Sequence, residues 1–289
     1  QDTARLGNAL GVAGVAGGVA AATGALEVDV ATAVQLAGLL AAGGGTGLAI
    51  ARRMATTDLP QKVAGFHALV GGAAVLTSAA AALAGGAPDA LHTAATVAGT
   101  VIGAITLTGS AVAYGKLAGH LPSAPLALPG KNAINLGLAG LTGLAGASAF
   151  SAGDAAGVAT SLAAATASAS LLGAHTTASI GGADMPVVVT LLNSYSGYAL
   201  CAEGFLLGND LLTSVGALIG ASGGILSYIM CAAMNRSLAN VVFGGGMPLR
   251  RKRSNRRRRA TSGKVGARGR SVWSRRPRAA RPPLPPHPS

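Results

Sequence analysis

The last 40 residues of this 289-residue chain contain no acidic side chain, and aromatic residues are scarce throughout. Charged residues make up 11% of the chain and aromatics 3%. Soluble domains carry about 25% charged residues, so an ordinary water-facing surface is excluded for most of this sequence. There are two cysteines, Cys201 and Cys231, both inside apolar runs. A disulfide framework needs more cysteines in a smaller, more polar chain, so both read as small core residues. The five histidines show no spacing such as HExxH, and no metal site is expected. P-loop and CxxC motifs are absent, and the glycine cluster at Gly43–Gly47 sits inside an apolar span with no strand before it. No basic segment precedes a short apolar core and cleavage site, so no secretory signal is visible. The expectation is that a targeting segment has been removed or that the sequence begins mid-protein.

The formal charge is +13, but it is not spread over the chain. From Gln1 to Leu249 there are seven basic residues (Arg5, Arg52, Arg53, Lys62, Lys116, Lys131 and Arg236) against all nine acidic ones. The remaining basic residues fall in the tail, which is rich in Arg, Pro and Ser and has Trp273 as its one aromatic. Such a segment cannot bury a core and is expected to be disordered. Two functional readings of the tail are contact with anionic lipid and, more weakly, binding of nucleic acid.

A helix needs about 20 mostly apolar residues to span a bilayer. Charge-free runs cover 6–26, 30–51, 63–88, 90–115, 132–153, 155–183, 185–202 and 211–235. This predicts an all-α polytopic bundle of about eight transmembrane helices. The seventh run is short, so its helix is expected to begin before Asp184 and to end past Glu203. If the spans alternate, all seven basic residues of the body fall on one side. The opposite loops hold Glu27, Asp29, Asp89, Asp154 and Asp210. By the positive-inside rule both ends face the cytoplasm or the mitochondrial matrix. Gly216, Gly220 and Gly224, and likewise Gly99 and Gly103, are spaced four apart. In lipid that spacing predicts close helix packing.

Polar residues inside spans are costly and tend to line water or protein. His67, five residues past Lys62, should lie about 7–8 Å into its helix. An imidazole titrates near working pH. His67 either moves protons or holds a neighbouring helix by a hydrogen bond. Asn193, near the middle of the seventh span, cannot titrate but can hold a water or orient an imidazole. Asp184, Glu203 and Asp210 lie nearer helix ends and read as interfacial, as do His92, His120 and His175.

The run from Ser179 to Gly245 contains GGADMPVVVTLLNSYSG and ILSYIMCAAMNRS. These segments closely resemble the beta-type membrane domain of proton-translocating NAD(P) transhydrogenases. MATTDLPQKVAGFHALVGGAAVL, IGAITLTGSAVAYGKLAG and PLALPGKNAINL are similar to the same family in register. The resemblance implies that hydride transfer between NADH and NADP is coupled to proton movement through this domain. It also implies that this chain binds no cofactor itself. NAD and NADP would sit on separate soluble domains, its partners in a homodimeric enzyme. By the same resemblance the central channel histidine falls on His67 and its asparagine on Asn193. The acids of GGADMP and GND fall on Asp184 and Asp210, and the arginine of MNRS on Arg236. The last three are implied to act in coupling or gating. The ALCAEGFLL segment, with Cys201 and Glu203, is more similar to mitochondrial than to bacterial members, which favours the mitochondrial inner membrane.

The resemblance gives two regions, 1–245 as the channel domain and 246–289 as the basic tail. Family members continue past the matching glycines into an NADP domain, whereas this chain turns Arg-rich. The tail therefore reads as a gene-model artefact, and an uninterrupted transcript encoding it would refute that reading. At the front, relatives carry at least one more helix. The chain is expected to be an enzyme fragment or subunit, not catalytic by itself. The alternatives are a relict or accessory membrane protein and a secondary transporter. The latter is disfavoured by the lack of an internal repeat.

Overall fold

In water, alanine, glycine and serine runs of this kind make weak helices. In a bilayer each backbone N–H and C=O must be satisfied within the segment, and helices result regardless. The structure, a computed structural model, describes residues 3–84, 89–126 and 128–243. The tail from 246 onward, with its expected disorder, lies outside the described residues. Among the described residues, eight helices are long and apolar enough to cross a membrane. They are α1 (Ala4–Gly24), α2 (Val30–Arg52), α3 (Leu59–Ala84), α4 (Ala90–Leu117), α5 (Lys131–Ser151), α6 (Ala155–Ala178), α7 (Met185–Leu206) and α8 (Asp210–Ala233). A short α9 (Leu238–Val242) follows.

Helix starts are marked by side-chain caps. Asp29, Asp89, Asp154 and Asn209 each accept hydrogen bonds from the first backbone amides of α2, α4, α6 and α8, which is the preferred use of these residues. The Thr32 hydroxyl also donates to Asp29 and, with the backbone amides, holds its carboxyl below the usual range. A depressed folded-state value means the cap contributes at neutral pH and weakens as pH falls through that value.

Two spans begin or end differently from their charge-free runs. α3 starts at Leu59, four residues before the predicted run, because a 3-10 turn at Thr56–Asp58 leads into it. α6 stops at Ala178, and a second 3-10 turn, Gly182–Asp184, leads into α7, which ends past Glu203 at Leu206.

α1 and α2 contribute no buried residue, and the glycines of 43–47 have open space around them. The packed bundle is α3–α8, held by small residues. A Cβ on Gly71 would strike the α4 backbone at Gly103 and Leu107, and one on Gly216 would strike the α7 backbone at Gly197 and Cys201. On α8 the buried glycines are Gly216, Gly220 and Gly223, so the third contact falls at Gly223, against Ser194, one residue before the evenly spaced Gly224. A 3.6-residue repeat drifts from an exact four-residue spacing.

The starts of α3, α5 and α7 and the ends of α4, α6 and α8 share one face, here called the basic face. Lys116 at the end of α4 donates to the carbonyls of Ala178 (2.6 Å) and Ile180 (2.7 Å), and Arg236 after α8 pairs with Asp184. The opposite, acidic face holds Asp89 and Asp154. The apolar core lies toward the basic face, where Ala64, Ala113, Met185, Val187, Val188, Leu192 and Cys231 are nearly inaccessible.

Candidate functional site

α3 begins at Leu59, so His67 lies eight residues into it, about 12 Å along the axis. This is deeper than the estimate counted from Lys62. Asn193 lies eight residues into α7, which runs in the same direction. The two residues, 126 apart in sequence, therefore meet at one level. His67 Nε2 is 3.0 Å from Asn193 Oδ1, and His67 is 6% exposed. Since a carbonyl oxygen only accepts, the ring donates through Nε2–H. In the neutral ring the lone pair is then on Nδ1. That atom is buried and has no partner among the described residues. The site is thus an oriented imidazole with one nitrogen committed to an amide and the other able to take a proton.

Toward the basic face, the apolar core closes over this pair. Ala64 lies about one turn before His67, and Val188 and Leu192 lie five residues and one residue before Asn193; each is 5% exposed or less. Beyond the core, Asp184 (9% exposed as a residue) pairs with Arg236, whose side chain is about half exposed at 47%. Cys231 lies beside this pair. A half-exposed pair of this kind is worth on the order of 1 kcal/mol, well below the roughly 3–5 kcal/mol lost on breaking a fully buried pair. A double-mutant cycle with Asp184→Asn and Arg236→Gln, read by thermal unfolding in detergent, should return a coupling of that smaller size.

The structure brings together His67 with Asn193, and Asp184 with Arg236. Asp210 is brought to neither pair. It is exposed in the first turn of α8, on the acidic side, where its charge complements the helix dipole.

Toward the acidic face a cavity of about 690 Å³ lies among the ends of α3, α4, α5 and α6, lined by Asp89, His92, Thr93, Thr96 and Asp154. One turn deeper, the hydroxyls of Ser78 and Thr100 are buried without a partner among the described residues. Deeper still, about one turn from His67, Gly71 and Gly103 bring the α3 and α4 backbones into contact.

Three polar features escaped the sequence reading. Lys116 is taken there as a flanking charge, yet it is 6% exposed and reaches back to carbonyls at the end of α6 and beyond it. α4 runs to Leu117, and that helix length is the signal that places Lys116 inside the fold. Lys116→Met should strand Ile180 O and lower stability by about 1–3 kcal/mol, measured as a fall in the unfolding midpoint. His175, read as interfacial, lies 2.6 Å through Nδ1 from Asn135 Oδ1, joining α5 to α6. Glu203, also read as interfacial, is half-buried on α7 with the Thr77 hydroxyl of α3 against its carboxylate. No single-sequence pattern links residues so far apart. Among the described residues there is no cluster of His, Cys, Asp or Glu fit to hold a metal ion.

A family model described as "NAD(P) transhydrogenase beta subunit" matches residues 1–272, past the boundary expected at 245. The chain is 42% identical over 252 residues to the NAD(P) transhydrogenase subunit beta of Rhodospirillum rubrum, with the same identity to the sequence from the ATCC 11170 strain. The alignment takes in 84% of this chain and 53% of that relative, so the chain spans about half the length of the curated relatives it matches.

Proposed function

This chain belongs to the NAD(P) transhydrogenase beta-subunit family, and from that premise we propose that it is the integral membrane domain that carries protons for the transhydrogenase reaction. The observation that supports this reading is the buried His67–Asn193 pair with its unengaged Nδ1. A proton reaching the pair binds Nδ1 and converts the ring to an imidazolium. Asn193 Oδ1 accepts from Nε2–H in both charge states, so the ring keeps its orientation while its charge changes. The amide dipole also offsets part of the cost of a cation away from water. Release to the other face requires α7 or α8 to shift and open the apolar core below the ring. The proton path is lined by α3, α4, α7 and α8.

Asp184 and Arg236 are placed to couple that shift to the partner domains. They tie the start of α7, which carries Asn193, to the end of α8. A nucleotide-binding domain acting near Arg236 would therefore act on the site through two helices. Asp210, exposed on the acidic face, is assigned with them to gating. The complete enzyme is a homodimer in this proposal, with NAD and NADP held by its soluble domains and hydride passing between them. The likeness of the ALCAEGFLL segment supports the mitochondrial inner membrane as its location.

The test is Asn193→Leu in the complete enzyme, reconstituted in sealed liposomes with nucleotides outside. The variant leaves the imidazole present but unoriented. Coupled proton uptake should fall at least about tenfold, the loss of one oriented partner of an acid–base group. Transhydrogenation between nucleotides bound on the soluble domains should survive. Normal pumping in Asn193→Leu would remove the basis of the assignment.

A further inference from the structure

We infer that Glu203, which faces Thr77 across the α3–α7 seam, is a second proton-holding position, exchanging protons between His67 and the acidic face. This rests on the functional reading of His67 above. The first argument is register. Thr77 follows His67 by ten residues on α3, and Glu203 follows Asn193 by ten on α7. Both helices run the same way, so the two cross-helix pairs stand about 15 Å apart along one seam. The second is chemistry. Glu203 is a carboxylate within a membrane-spanning helix, half-buried, with the Thr77 hydroxyl beside it. Carboxylates at such depth are rare and pair with cations, face water or relay protons. Among the described residues no cation is seen beside Glu203, and Arg236 is engaged by Asp184 at the other face.

The titratable groups around it do not supply a partner. α3 offers Thr77 and, deeper, His67. α4 carries His92 at its acidic-face end, where it lines the cavity beside Asp89, and Lys116 at the basic face. α8 begins with Asp210, exposed and of the same sign. α7 itself adds Tyr195, Tyr198 and Cys201.

The third argument is that the other ways out are shut. The apolar core closes the site toward the basic face. The α3–α4 seam, which the Asp89–His92–Asp154 cavity enters, ends at the Gly71–Gly103 backbone contact. On the α3–α7 seam the carboxylate beyond Asn193 is Glu203, beside Thr77 of α3. Ser196, 6% exposed and bonded to the Asn193 carbonyl at 2.8 Å, lies between them. The step is a proton exchange only: Glu203 takes a proton from the acidic-face medium and passes it inward, and its carboxylate returns to receive the next.

The experiment compares Glu203→Gln, Glu203→Asp and His67→Ala in the complete enzyme in sealed liposomes, with coupled proton uptake recorded across pH. Gln keeps the size and can still bond Thr77, so a purely structural role predicts unchanged pumping. A proton-holding role predicts a fall of at least about tenfold for Gln, and a displaced pH profile with partial activity for Asp. Unchanged uptake and pH profile in Glu203→Gln, with His67→Ala inactive, would overturn this inference and leave the functional reading standing. Normal pumping in His67→Ala would instead overturn the functional reading. Independently of variant yield, infrared difference spectra of the wild-type chain in bilayers between acid and alkaline pH should contain a membrane-buried carboxylic-acid band that moves in Glu203→Asp. No such band would also overturn it.

Discussion

His67→Ala in the complete enzyme should abolish coupled proton uptake, with a loss of about 10²–10⁴-fold, the range for removing a positioned acid–base group. The size follows from the position. His67 is the imidazole held against Asn193 between α3 and α7, and the apolar core closes beneath it. A water molecule in the space left by the ring could bond Asn193, but it would have to carry a proton as hydronium in a largely apolar surround. The charge would cost more there than on an imidazole that already has an amide partner. The variant should still fold. The substitution removes one interhelical hydrogen bond, a net contribution of about 0.5–1.5 kcal/mol, while the glycine contacts that hold α3 to α4 and α7 to α8 remain. Proton uptake by reconstituted liposomes, beside nucleotide exchange on the soluble domains, separates the two effects. Lost pumping with retained exchange is the expected pattern.

The second large effect is on folding. Gly216→Val should unseat α8 from α7. A side chain at Gly216 points into the backbone of Gly197 and Cys201, and one at Gly197 points into the backbone of Gly220. Backbone cannot rotate away as a flexible side chain can. The cost should reach the upper end of the overpacking range, about 3 kcal/mol. For a domain of this size that corresponds to a fall of roughly 6–12 °C in the unfolding midpoint. The same change would move Asn193 relative to α8 and should reduce pumping as well. Gly44→Ala, on a glycine with open space around it, should leave both stability and pumping nearly unchanged. The contrast between the two glycines tests whether small residues are used here for close approach or only for lipid-facing filling.

The spans are legible because, before residue 250, charges occur almost only near helix ends, so the gaps between them measure bilayer thickness. Boundaries slip where a 3-10 turn is added, at Thr56–Asp58 before α3 and at Gly182–Asp184 before α7. The glycine spacing on α8 shows that a close face exists, but the helix period shifts its third member to Gly223. Which helices pair is hidden, because small apolar residues look alike on every face. His67 stands out as an imidazole in a span, and Asn193 as an amide in a span. That they belong together comes from the family resemblance, since the 126 residues between them carry no periodic signal. Lys116 and Glu203 mislead for one shared reason. A charge near a helix end reads as interfacial, yet both side chains reach across to a neighbouring element, Lys116 to the Ala178 and Ile180 carbonyls and Glu203 to Thr77.

The account turns on whether the His67 ring gains and loses a proton within the membrane. Nitrogen-15 NMR of ring-labelled histidine in the chain, embedded in lipid bilayers and compared with His67→Gln to assign the signal, measures this directly. The expected result is a neutral ring protonated at Nε2 at alkaline pH that becomes doubly protonated as the pH is lowered. A His67 signal that stays in a single protonation state throughout would contradict it.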